Sequence, residues 1–352
     1  MNYYIGDDAH KKYSLFTVLD DTGKFILRER VEHEREGYRA FLRNLPPCSE
    51  IALETTGNYY WMIEEIEQAG HIAWLTHARK AKLMNGQINK TDKLDAEGLA
   101  RLLKSGTLPT VWIPPGELRD QRELPRMRLV FVSIRTRLKN RIHATFAKYN
   151  ITFEGVSDIF VGKGRRWLED SLSELPPETR VSVQEELGLL DQVEQFIQQA
   201  EQRIAEIIKQ DHAMQLLDTI PGVGPILAIT IALEMGDVDR FPNREKFASY
   251  SGKVPRVISS GGRTYHGRVL PDVNRYLKWA FTEAANAIVL QQHRLGDCHV
   301  TRLYHRIYRN KGHARAITAV GRHLAEAAYQ MLKYNVPYQE PKTAQPVTFI
   351  QG

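Results

Sequence analysis

The first hundred residues arrange their apolar stretches in an order that few architectures satisfy. Residues 3–8, 13–19 and 25–31 read as three short strands. Asp20-Asp21-Thr22-Gly23 joins the last two, a hairpin turn because Asp and Gly tolerate its backbone angles. Glu36–Leu45 is amphipathic and stops before Pro46-Pro47. A strand at Glu50–Leu53, a helix over about Asn58–Ala69 ended by Gly70, and a strand at Ile72–Leu75 follow. The last helix starts near Thr91 or Asp92, because Leu94, Leu99, Leu102 and Leu103 recur at helical spacing.

Three strands, helix, strand, helix, strand, helix is the order of the RNase H fold. An α/β domain of that class is therefore expected, although order alone does not give function. The order also sorts the acids. Asp92 and Asp95 are three apart and stack on one helix face, where they repel unless a cation sits between them. A hard divalent metal would fit them; so would a capping role, with Asp92 as N-cap and Asp95 in the first turn. Taken alone, the pair favours the cap. The first strand adds Asp7 and Asp8, of which alternation lets only one face a site, and the fourth strand ends in Glu54. Asp8, Glu54, Asp92 and Asp95 together make a quartet suited to metal-dependent phosphoryl transfer, and the metal reading overtakes the cap.

The second half changes character. Lys and Arg number 48 against 42 Asp and Glu in 352 residues, a formal +6 that leans toward an anionic partner. Between Pro114 and Asn150, Arg126, Arg128, Arg135, Arg137, Lys139 and Arg141 occur without an acid among them, above a helical apolar stripe. That run of one sign points to nucleic-acid backbone contact, the alternative being a solvated face. From Val183 to Lys209, apolar residues alternate by three and four, the seam of a coiled coil that either self-associates or packs back on its own domain. Pro221-Gly222-Val223-Gly224 is a turn between helices, suited to a phosphate or simply tight. Ser259-Ser260-Gly261-Gly262 is a loop flanked by Arg256, Arg263 and Arg268, which could clamp a phosphate. A serine there is ordinarily a turn residue. It becomes a nucleophile only with help, and with no His/Asp pair at motif spacing a bound metal is the available helper. The tail from Pro337 has no period and reads as loose. Cys48 and Cys298 give no disulfide framework or zinc ribbon, the N-terminus lacks a signal segment, and Pro225–Met235 is too short to span a membrane. An intracellular, soluble protein is expected.

Gly6-Asp7-Asp8-Ala9-His10-Lys11, Leu53-Glu54-Thr55-Thr56-Gly57-Asn58-Tyr59 and Lys90-Thr91-Asp92-Lys93-Leu94-Asp95-Ala96 resemble the DEDD transposases of the insertion-sequence one-ten family, relatives of the Piv invertases. Ile220-Pro221-Gly222-Val223-Gly224, the Ser-Ser-Gly-Gly stretch and Lys311-Gly312-His313-Ala314-Arg315-Ala316-Ile317 are similar to its C-terminal transposase domain. The resemblance implies a RuvC-like domain over 1–112, a basic helical linker region over 113–178 and a coiled-coil arm over 179–212. A mainly helical transposase domain over 213–338 and a loose tail over 339–352 complete it. It further implies a site-specific recombinase in which Asp8, Glu54, Asp92 and Asp95 bind magnesium and Ser260 forms a transient phosphoserine link to double-stranded DNA. The quartet of one subunit would meet the serine of another in a homodimer or homotetramer. An element-encoded guide RNA and a prokaryotic, cytoplasmic, nucleoid-associated setting belong to the same implication. Arg79 and Lys90 join the arginines above as expected nucleic-acid contacts. Asp7, where the family carries an apolar residue, is a departure. A RuvC-like nuclease using water, and a nucleic-acid binder with structural acids, are the competing readings.

Overall fold

Strands β1 (Tyr4–Ala9), β2 (Tyr13–Leu19) and β3 (Phe25–Glu32) form an antiparallel meander. The computed structural model describes residues 2–85, 91–153, 155, 158–269 and 271–341. The turn between β2 and β3 closes on Asp20, whose Oδ1 accepts from the Thr22 hydroxyl at 2.6 Å and the Lys24 amide at 2.9 Å. After α1 (Arg35–Asn44), β4 (Glu50–Glu54) pairs parallel to β1. After α2 (Tyr59–Gln68), β5 (Ile72–Thr76) pairs parallel to β4, giving the order β3-β2-β1-β4-β5. Helices α3 (Ala78–Asn85) and α4 (Asp92–Lys104) complete a compact unit, Met1–Pro114. The sequence reading missed α3, which is short and buries only Ala81.

Alternation divides the sheet's side chains between two cores. Ile5, Phe16, Ile51 and Leu53 pack under Tyr38, Leu42, Met62 and Ile66 of α1 and α2. Ala52 joins Ala81, Leu99, Leu102 and Leu103 on the other face, beneath α4. Gly6 sets how closely α4 lies on β1: a Cβ there would stand 1.9 Å from the Ala96 carbonyl oxygen and 2.8 Å from the Ala100 nitrogen. No side chain fits between those backbones.

The second compact unit, Pro115–Gly352, begins with α5 (Gly116–Gln121), α6 (Glu123–Lys148), α7 (Gly162–Asp170) and the 34-residue α8 (Pro177–Gln210). The seam of α8 packs back within its own chain. Val183, Leu187 and Leu190 are buried with Ile142 and Phe146 of α6 and Leu168 of α7. The helices run antiparallel, since Arg128 pairs with Glu201, Arg135 with Glu194 and Arg141 with Glu186. The acids missing from the basic run therefore lie across the interface, on α8.

Next come α9 (His212–Asp218), α10 (Pro225–Met235) and α11 (Arg244–Tyr250). Strands β6 (Pro255–Ser260) and β7 (Arg263–Val269) follow, then α12 (Arg275–Leu290), α13 (Gln292–Leu295), α14 (His299–Lys311) and α15 (His313–Tyr334). Ile231, Met235, Phe247, Phe281, Ala284, Val320 and Leu324 are fully buried at their centre. Gly222 abuts α12, 2.3 Å from the Ala284 carbonyl oxygen at the Cβ position, so its turn is a packing device. The expected serine loop is a β-hairpin: Gly261 and Gly262 have φ of +57° and +76°, the signs a two-residue type I′ turn requires. The tail is tied down as far as it is described. The Tyr338 amide donates to Thr219 Oγ1 at 3.0 Å, and Glu340 accepts from the His299 amide at 2.9 Å. Residues 342–352 and Lys90 lie outside the described residues. No helix among those described is long and apolar enough to cross a membrane.

Candidate active site

The cap of α4 is Thr91, whose hydroxyl accepts from the Leu94 amide at 3.3 Å. The capping alternative for Asp92 thereby falls: Asp92 sits at the first helical position, and its carboxylate meets Tyr13 and His10 instead. A threonine at N-cap needs only extended backbone and a reachable amide, and Thr91 has both. Because α4 lies so close on β1, Asp92 and Asp95 come against the face of the sheet that carries Asp8.

Asp8, Glu54, Asp92 and Asp95 line one pocket of about 320 Å³, together with His10, Arg79, Lys82 and Asn85. Three elements supply the acids: the centre of the sheet through β1, the end of β4, and the first turn of α4. Asp8 is held above the ordinary carboxylate range by burial, with the negative charges of Asp92 and Asp95 adding to it and His10 opposing. A carboxylate whose proton affinity is raised by neighbouring negative charges is one that a cation would stabilise. Ligand atoms of Asp8, His10 and Asp92 all lie within 4.8 Å of one another, close enough to share one ion. The oxygen-rich donor set fits a hard divalent metal.

Asp7 takes the other side of the strand. It is fully buried in the core under α1, where Tyr38 donates to its Oδ2 at 3.2 Å. Burial pushes its carboxyl up to about 7, against the pull of the Ser14 and Tyr38 hydroxyls. The extra acid therefore does not reach the pocket.

Sequence reasoning gave no role to His10, Lys82, Asn85 or Tyr13. The signal for His10 was its position two residues after Asp8, on the same face of an extended chain. Tyr13 donates its hydroxyl to Asp92 Oδ2 at 3.2 Å, a pairing across 79 residues that no local pattern encodes. Lys82 and Asn85 belong to the unforeseen α3.

In the other unit, Ser260 is the last residue of β6, exposed, and paired across the hairpin with Arg263. Ser259 pairs with Thr264 on the opposite face. Ser260 is therefore paired directly with a cation, whereas the direct partner of Ser259 is Thr264. Arg256 and Arg268 are exposed on the same ribbon. The helical cations are engaged elsewhere: Arg126 with Glu234 at 2.8 Å, Arg128 with Glu201, Arg135 with Glu194, Lys139 with Asp158 at 3.5 Å, and Arg141 with Glu186. Arg137 donates to Ser133 Oγ at 3.1 Å.

A family model for DEDD transposases of IS110-type elements matches residues 5–151, and that of the Transposase IS116/IS110/IS902 family matches residues 214–298. A "Probable family 20 transposase" of Pseudomonas aeruginosa is 27% identical over 294 residues, covering 81% of this chain and 83% of the relative. The "Transposase for insertion sequence element IS1328" of Yersinia enterocolitica is 27% identical over 272 residues, 74% of this chain and 76% of the relative. The "Transposase for insertion sequence element IS1111A" of Coxiella burnetii is 24% identical over 259 residues, 74% and 70%. The first matched segment holds all four pocket acids and the second holds Ser260. The chain belongs to the IS116/IS110/IS902 family of insertion-sequence transposases.

Proposed function

We propose that this transposase is a site-specific DNA recombinase that cuts and rejoins strands through Ser260, with Asp8, Glu54, Asp92 and Asp95 holding magnesium. The observation that carries the reading is the convergence of the four acids, from β1, β4 and α4, in one pocket. The strand order, with β1 antiparallel to β2 and parallel to β4, supports an RNase H-like, RuvC-like assignment for this unit. When bound, the metal supplies neutralisation of the charge that develops on the attacking and leaving oxygens of the phosphodiester.

The residues themselves do the rest. Arg263, opposite Ser260 on one face of the ribbon, holds a DNA phosphate beside the serine hydroxyl. The Ser260 Oγ–phosphorus bond forms as the phosphorus–sugar oxygen bond breaks. The hydroxyl's proton leaves, and the departing sugar oxygen takes one up. Rejoining reverses the exchange with a new sugar hydroxyl, so no bond energy is lost to water. Arg79 and Lys82 add positive charge to the wall of the acidic pocket, where a DNA backbone would approach. Guidance by an element-encoded RNA, and completion of the site between subunits of a dimer or tetramer, are parts of the proposal that rest on the family resemblance.

The test is to incubate the full chain with element-end DNA, guide RNA and magnesium, then denature. A covalent protein–DNA adduct is expected, lost in Ser260→Ala and kept in Ser259→Ala. Cleavage that persists in Ser260→Ala without an adduct refutes the serine mechanism and leaves hydrolysis by water. Asp92→Asn is expected to abolish cleavage with α4 still capped by Thr91.

A further inference from the structure

His10 is the one nitrogen ligand in an otherwise oxygen-donating group, and its setting is unlike that of a histidine filling space. Its Nε2 lies 3.3 Å from Asp8 Oδ2 and 3.2 Å from Asp92 Oδ2. The atom is sealed from solvent, yet neither approach has the direction of a hydrogen bond. The ring is fixed from the side. The Tyr13 ring lies against it, tilted by 32° with centroids 4.6 Å apart, and the Tyr13 hydroxyl holds Asp92 Oδ2, the oxygen that faces His10. The Arg30 guanidinium lies 3.7 Å over the Tyr13 ring.

The separations are those between ligands of one ion. Bonds of about 2.1 Å place neighbouring donor atoms about 3.0 Å apart in an octahedron and about 3.4 Å apart in a tetrahedron. The two His10 separations fall between these limits. A donated imidazole changes which ion the group prefers. Carboxylates serve magnesium well, whereas a nitrogen donor adds more to the binding of manganese and the later divalent metals.

We propose that His10 is a metal ligand of the Asp8–Asp92 pocket and raises its affinity for manganese and later transition-metal ions relative to the magnesium that the four acids can hold. This deepens, and rests on, the reading of the pocket as a metal site. His10 then tunes which divalent metal binds more tightly, while the four acids decide that a metal binds at all.

The test uses the full chain without DNA. Binding of Mn(2+) is followed by loss of the free-ion electron paramagnetic resonance signal, and Mg(2+) by competition. The wild-type chain is expected to bind Mn(2+) at least about tenfold more tightly than Mg(2+), and to show nitrogen modulation of the bound-manganese spin echo. In His10→Ala the nitrogen modulation disappears and Mn(2+) affinity falls about tenfold or more, with Mg(2+) affinity nearly unchanged. His10→Asp restores an all-oxygen group and swings preference to Mg(2+), which separates loss of the imidazole from loss of the fold. Unchanged Mn(2+) binding in His10→Ala, or an equal loss for both metals, overturns the proposal. Tighter metal binding in His10→Ala also overturns it, since His10 would then be a competing counter-ion. If Asp92→Asn leaves all metal binding unchanged, the underlying metal reading fails as well, an outcome distinct from the others.

Discussion

Replacing Gly6 by alanine tests whether the close seat of α4 on β1 builds the acidic pocket. The added Cβ would stand 1.9 Å from the Ala96 carbonyl oxygen, 2.8 Å from the Ala100 nitrogen and 2.9 Å from the Ala96 carbonyl carbon. All three are backbone atoms of a helix, so no side chain can rotate aside. Widening the first gap from 1.9 Å to ordinary contact at 3.4 Å moves the helix by about 1.5 Å. Overpacking of this kind costs about 1–3 kcal/mol, because a close-packed interior has no slack to absorb it. The same movement carries Asp92 and Asp95 away from Asp8, and a misplacement of about 1 Å in a reacting constellation costs on the order of a hundredfold in rate. Urea unfolding and element-end cleavage are the two measurements. Gly6→Ala is expected to lose about 1–3 kcal/mol of stability and most of its cleavage rate together. A variant as stable and as active as the parent refutes the argument. One that loses stability but keeps full activity separates the helix seat from the site.

Three further expectations rest on the second unit. Leu190→Ala should cost about 2–5 kcal/mol, with an unfolding midpoint independent of protein concentration, because the α8 seam packs on α6 of the same chain; a concentration-dependent midpoint would show that the seam is shared between chains. Glu234 is 1% exposed, accepts from Arg126 and Asn274 and faces the buried Arg122 at 3.8 Å, so Glu234→Gln removes the charge that balances these arginines and should cost about 3–5 kcal/mol by urea unfolding; a loss below about 1 kcal/mol counts against it. Burial lowers Lys253 from 10.5 to about 8, with the Lys278 charge adding and Glu283 opposing. The folded state then holds fewer protons than the unfolded one between those values, so stability should rise as pH climbs from about 8 to 10.5. Lys253→Met should remove that rise, worth on the order of 3 kcal/mol; a stability difference between the two proteins that stays constant with pH would refute it.

Turn chemistry and periodicity act over a few residues, and what they govern was legible in the chain. The order of strands and helices in the first unit, α3 apart, follows from them, and so does the convergence of Asp8, Glu54, Asp92 and Asp95 on one pocket. Strand alternation also predicted that only one of Asp7 and Asp8 would face it, and Asp7 lies in the core. What escaped depends on partners far away in sequence. The basic run on α6 looked like a surface for a polyanion because its acids, Glu186, Glu194 and Glu201, lie a helix away. Thr91 and Asp92 both suit a cap, and only the three-dimensional path of the chain into α4 decides between them. The Ser-Ser-Gly-Gly stretch reads as a loop or turn in sequence, and the two strands that run into it carry no such signal, although two glycines with positive φ are what closes a hairpin. His10 stood in plain view beside Asp8. Its meaning came from Asp92, which reaches it through α4.

The antiparallel pair α6 and α8 sets a length. At about 1.5 Å per residue the two helices run about 39 Å and about 51 Å. One small core, around Ile142, Phe146, Leu168 and Leu190, lies toward the turn end, and another, around Ile204, Ile208 and Met214, lies where α8 rejoins the helical unit. Between them the pair is a strut, and adding seven residues to both helices would extend it by about 10 Å with almost no rotation of its tip. The distance from the core around Leu190 to the core around Ile204 is thus counted in helical turns, and a change in it would come in steps of whole turns.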